Sequence, residues 1–198
     1  METPEKQFNP KESLLLIQEM ITVTRRRIDK ESFLILLWGY LATSWYLLGF
    51  LWMKLEKYTY VAYSWALLCG LGIIVSLIYW RSKSKTDRIK TYVDDCIKYT
   101  WIGYLITMLI IVSALIKFQC FYLINPLGLI IVGLPTIITG GVIRFKPLLV
   151  GGILFWIFGA IAFTTTFDWQ CIIGAVAIVC GYLIPGYMLK ASTKNETI

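Results

Sequence analysis

The chain reads as an all-α polytopic membrane protein: a bundle of six transmembrane helices preceded by an N-terminal amphipathic cytoplasmic helix. Three observations predict this. The 198 residues are 58% hydrophobic and only 16% charged, which excludes an ordinary soluble domain. Six apolar stretches, Phe33–Met53, Thr59–Trp80, Thr100–Ile116, Cys120–Ile143, Leu148–Thr166 and Trp169–Leu189, contain no charged residue. Each is close to the roughly 17–25 residues that a helix needs to cross the hydrocarbon core. Finally, the cations are partitioned. With the N-terminus in the cytoplasm, sixteen of the 19 Lys and Arg fall in inner segments, and only Lys54, Lys57 and Lys117 fall outside. That is the positive-inside pattern, and it predicts both termini in the cytoplasm and a cytoplasmic (inner) membrane location.

The first element is predicted over residues 1–32. Asn9 is a candidate N-cap, Pro10 suits the first helical position, and Glu12 stands where a capping-box acid would. Leu14, Ile17, Ile21 and Ile28 then fall on one stripe, which ends among Arg25, Arg26 and Arg27. The spacing predicts a helix from about Pro10 to about Asp29. Two readings of its face stand side by side: rest on the inner leaflet with arginines on lipid phosphates, or docking onto protein. The apolar run that follows is about 21 residues, longer than a signal-peptide core, and no small-residue cleavage site follows it. It is read as the first span.

In the second span, Ala62, Ala66 and Gly70 recur every four residues, a spacing that lets helix backbones approach where lipid supplies no hydrophobic drive. The polar segment Arg81–Tyr99 carries Ile89, Tyr92, Val93, Cys96 and Ile97 at helical spacing. The third helix is therefore predicted to begin near Thr86 and to enter the membrane unbroken. Asp94 and Asp95 lie in it, but a metal–diphosphate site needs further acids at helical spacing, and the next ones are Asp87 and the distant Asp168. The fourth span contains two prolines. Asn125-Pro126 reads as a cap and first helical position, and Pro135 as a kink opposite the Ile131 carbonyl. Gly152 and Gly159 are the small residues of the fifth span, and Ala177 and Gly181 those of the sixth. Pro185 is expected to kink or end the sixth span near the cytoplasm. The predicted organisation is then 1–32 cytoplasmic helix, 33–190 six-helix membrane domain, and 191–198 cytoplasmic tail. Hairpins beginning near Gly39, Gly103 and Gly151 also suggest a threefold repeat.

The five cysteines include no C-x-x-C pair and the chain has no histidine, so neither a metal site nor any cofactor is expected. Cys120 and Cys171 both begin outer ends of spans, where a disulfide is geometrically feasible; two free thiols are the default. Nucleic acid is not an expected partner, because the net charge of +7 is spread along membrane edges.

As a set, several segments resemble a six-span integral membrane protein family common in Bacteroides-type bacteria. They are Glu12-Ser13-Leu14 with Ile17 and Met20-Ile21, Leu37-Trp38-Gly39-Tyr40, Asn125-Pro126 with Gly133-Leu134-Pro135-Thr136, Phe145-Lys146-Pro147-Leu148, Gly151-Gly152-Ile153, and Ile184-Pro185-Gly186-Tyr187. The resemblance implies a multi-pass inner-membrane protein and brings no activity, cofactor or site residue with it.

Function classes are limited by what the spans lack. Ion coupling needs ionisable groups inside spans and acid–base catalysis needs a positioned one. The expectation is a non-enzymatic accessory, scaffold or sensor that binds membrane lipid and, through a homo-oligomer or a cytoplasmic protein, a partner. The alternative is a small transporter or channel for a neutral solute, its path lined by Thr43, Ser44, Thr107, Ser113, Thr136 or Thr139.

Overall fold

A computed structural model of the chain describes residues 10–84 and 92–195. All regular structure among them is helical: α1 (Pro10–Lys54), α2 (Tyr58–Ser84), α3 (Tyr92–Lys117), a 3-10 turn (Phe121–Leu123), α4 (Ile124–Val142), α5 (Lys146–Ala162), α6 (Phe167–Ile178), a π turn (Val179–Leu183) and α7 (Ile184–Asn195). Five stretches are long and apolar enough to cross a membrane: Ser32–Lys54, Thr59–Tyr79, Asp95–Lys117, Phe121–Val142 and Phe167–Ser192. The sixth expected span, Leu148–Thr166, is the shorter α5 of 17 residues.

Two boundaries differ from the sequence reading. The amphipathic segment and the first span are one unbroken helix of 45 residues rather than two elements. No Pro or Gly lies between Lys11 and Phe33 to interrupt it. Asn9 lies outside the described residues, as do 85–91, the expected start of the third helix. At the other end, where a kink or an end is expected at Pro185, the helix is irregular but does not end. That proline has no N–H to give to the carbonyl of Gly181. The chain inserts one residue ahead of it, so that the Ile184 N–H bonds to the Val179 carbonyl five residues back, and helix resumes to Asn195.

α1 and α2 run antiparallel, as do α4 and α5, while α6, the π turn and α7 form one continuous span. Phe33 stacks on Tyr79 (ring centroids 4.2 Å apart) and Trp52 on Tyr60 (5.1 Å), so the two ends of α1 and α2 are pinned together. The core is built from α1, α4, α5, α6 and α7, around Leu129, Leu148, Phe155, Ala162, Ala177 and Tyr182. α2 packs on α1 and α3 on α4, and both stay at the rim. Among the described side chains, only Gly72 of α2 and only Ile97 of α3 are buried.

Three turns share one construction. Glu56, Gln119 and Arg144 have φ of 57°, 56° and 55°, a left-handed conformation usually given to glycine. Each closes a helix by the same pair of bonds, for example Gln119 N–H to the Ile116 carbonyl (3.1 Å) and Cys120 N–H to the Leu115 carbonyl (2.9 Å). Left-handed geometry costs an L-residue about 1–2 kcal/mol, and glycine costs part of that back in unfolded-chain entropy. Gln119→Gly should therefore stabilise the protein by about 0.5–1 kcal/mol, read as a higher denaturation midpoint in detergent.

Candidate functional site

The tightest packing is where α5 meets α4 on one side and the π turn on the other. A Cβ on Gly151 would sit 2.5 Å from the carbonyl oxygen of Gly181, and one on Gly152 would sit 2.9 Å from the Gly133 oxygen. Gly159 meets the Pro126 carbonyl and Ile130 in the same way, 3.2 and 2.7 Å away. α5 is thus laid against α4 along most of its length, from Gly140 to Pro126. The Trp156 indole N–H donates to the Ile130 carbonyl (3.0 Å) and bridges the pair. Gly181 is also the floor for the Phe155 ring, which is fully buried and stands edge-on to Tyr182 (4.9 Å, 72°).

Around this contact lies a group of hydroxyls near the middle of the spans. Tyr182, carried inward by the π turn, pairs with the Thr136 hydroxyl (3.1 Å), and Thr136 donates to the Val132 carbonyl one turn back (2.7 Å). Tyr46 of α1 lies across Gly174 of α6, whose missing side chain makes room for the ring: a Cβ there would be 2.2 Å from it. Tyr104 of α3 packs beside Trp101 (5.5 Å). Hydroxyls from α4 and the π turn thus meet inside the bundle. The Tyr46 ring is buried, whereas Tyr104 is half-buried.

At the end that holds the α1–α2 turn, Lys54 and Asp168 form an ion pair at 3.5 Å, about half exposed, worth at most about 1 kcal/mol. Asp95 lies at the opposite end of the bundle. Beside the first end two amides are buried, Asn125 and Gln170. Gln170 donates to the Ala162 and Thr165 carbonyls (3.1 and 3.3 Å) and so ties the end of α5 to α6. Asn125 does not cap: α4 begins one residue earlier, with Leu123 as its N-cap. Cys120 and Cys171 are both free thiols, Cys171 buried against the core.

The residues singled out from sequence are distributed unevenly. Gly152, Gly159, Ala177 and Gly181 are buried between core helices. Ala62 and Ala66 are exposed and nothing lies near Gly70, so that stripe does not hold α2. Gly72 does, against Trp38 and Leu41 of α1. The side chains of Leu14, Ile17, Ile21 and Ile28 lie outside the described residues. Of the threonines and serines offered as a solute path, Thr136 and Thr139 are buried, Ser44, Thr107 and Ser113 are exposed, and the Thr43 hydroxyl is spent on the Gly39 carbonyl (2.8 Å). They do not form one lining. The tyrosines were not singled out from sequence, although a signal existed: membrane tyrosines favour the interfacial belts, and Tyr46, Tyr104 and Tyr182 lie well inside their spans. Comparisons with protein-family models, with curated proteins and with solved structures return no match.

Proposed function

We propose that the protein is a non-enzymatic multi-pass scaffold of the cytoplasmic membrane that presents α1 as a docking rod to a protein partner. The length of α1 carries this reading. Its 45 residues extend for about 67 Å, whereas the hydrocarbon core is about 30 Å thick. The part that fits the bilayer is Ser32–Lys54. The preceding residues 10–31 then rise about 33 Å beyond it without a break that would let them turn and lie on the leaflet. A helix of that length standing alone is marginal in water. The stripe of Leu14, Ile17, Ile21 and Ile28 therefore seeks cover from a second copy or from a cytoplasmic protein.

Six crossings with both termini cytoplasmic complete the proposal. α5 is short, but it follows α4 over nearly all of α4's depth and returns the chain to the level where α4 began. The cation partition gives the direction. Accessible cysteine probes at Lys57 and Lys85 should label from outside and from inside respectively; the reverse result would invert the orientation. For docking, replacing Ile17 and Ile21 together by Asp should abolish cross-linked association while membrane insertion persists. If removal of residues 1–30 changes neither oligomeric state nor co-purifying chains, the rod has no docking role.

A further inference from the structure

The seam between α1 and α7 carries a pair of phenols on its outer surface. Gly186 of α7 lies so close to α1 that a Cβ on it would sit 2.9 Å from the Leu36 side chain and 3.2 Å from that of Ile35. One residue on, Tyr187 meets Tyr40 of α1. Their hydroxyls are hydrogen-bonded to each other, and the rings stand edge to face with centroids 6.5 Å apart. Each tyrosine is 50% exposed. Lys190 is exposed one turn further along α7, and its i, i+3 spacing sets it beside Tyr187. α7 contains Lys190 and Lys194 and no acid.

The pair cannot satisfy itself. Two hydroxyls hold two protons, and the bond between them uses one. The second needs an acceptor from outside, and Tyr40 and Tyr187 both lie within apolar spans, Ser32–Lys54 and Phe167–Ser192. A polar group facing hydrocarbon without a partner is costly. The order of groups along the seam fits one kind of molecule. Lys190 stands near the end of its span, about 4.5 Å further along the axis than Tyr187. Ile184, one turn deeper on α7, and Leu47, two turns deeper on α1, are exposed and apolar. Cation, then hydroxyl donor, then apolar track is the complement of a glycerophospholipid: phosphate, then ester carbonyl, then acyl chain.

We infer that the α1–α7 seam binds one anionic glycerophospholipid. Lys190 pairs with its phosphate, the Tyr40–Tyr187 pair donates to an ester carbonyl, and an acyl chain lies over Ile184 and Leu47. A zwitterionic lipid fits less well, because its own ammonium competes with Lys190 for the phosphate. The site rests on the proposed topology only for the assignment of its leaflet to the cytoplasmic face, and lipid binding is measured without reference to orientation. Native mass spectrometry of the full chain in detergent, titrated with dioleoyl phosphatidylglycerol, should show one saturable adduct. Its affinity should exceed that for dioleoyl phosphatidylethanolamine about fivefold. Lys190→Gln should weaken phosphatidylglycerol binding about fivefold, and Y40F/Y187F, which keeps both rings, should do so about fivefold. Lys146→Gln, at an exposed lysine that opens α5, should leave it unchanged. If the tyrosine variant does not fold, Lys190→Gln, at an exposed position, still decides. Equal affinity for the two lipids would overturn the proposal. So would binding indifferent to Lys190→Gln, an equal loss in Lys146→Gln, or displacement of the lipid by soluble glycerol phosphate.

Discussion

Gly151→Val should cost more stability than any other single substitution in the bundle, about 3 kcal/mol or beyond, the upper end of overpacking penalties. The reason is what the new atoms would strike. Some crowded glycines here, such as Gly39 and Gly186, face the far end of a leucine side chain, which can rotate away. At Gly151 the obstacle is backbone, the carbonyl oxygen and Cα of Gly181 at 2.5 and 3.1 Å. That backbone is already committed, because Pro185 and the π turn set its path. Relief would require α5 to separate from α6, which strips the Phe155 ring from its seat. Thermal unfolding in detergent, followed by circular dichroism, should show the midpoint falling well below that of Gly141→Ala. Gly141 is an exposed control whose Cβ would meet only Leu149, at 3.9 Å.

Phe155→Ala should be second, at about 3 kcal/mol, the low end of values for buried Phe→Ala. In water part of that loss comes from transfer of the ring out of solvent. In a bilayer the unfolded reference is apolar too, so this part shrinks. What remains is the cavity: a ring with no accessible surface loses its contacts with Gly181 and Tyr182, and nothing on the rigid π turn can collapse into the gap. Steric trapping or SDS titration would measure the loss. Phe155→Leu should recover about half of it, since most of the volume is restored.

The sequence disclosed the class of the molecule because apolar length and charge partition are summed over many residues. Membrane helices emerge from such sums almost regardless of detail. Partner choice does not. Ala62, Ala66 and Gly70 have the same spacing as a packing face, yet α2 is held through Gly72, two residues on, because Trp38 and Leu41 need the space beside it. Gly152, Gly159 and Gly181 were legible as small residues but not as partners of Ile137, Ile130 and Phe155, which come from other helices. Pro185 announced an irregularity; that the chain would absorb it by one wide turn and continue could not be read from the proline alone. The Tyr182–Thr136 pair was least legible, since its members come from different elements, 46 residues apart in the chain.

The arrangement of the rim and core also sets a timetable for assembly in the ribosome-bound chain. α1 is made first, yet its main neighbours besides α2 are α6 and α7, which are made last. Gly39 waits for Tyr182 and Leu183, and Tyr46 for Gly174. Until the final span is threaded, α1 and α2 form a lone hairpin with an uncovered flank, and α3 has no support before α4 arrives. The nascent protein therefore holds its first helix open through nearly the whole of translation. Only the carboxyl-terminal helices, once made, cover that flank.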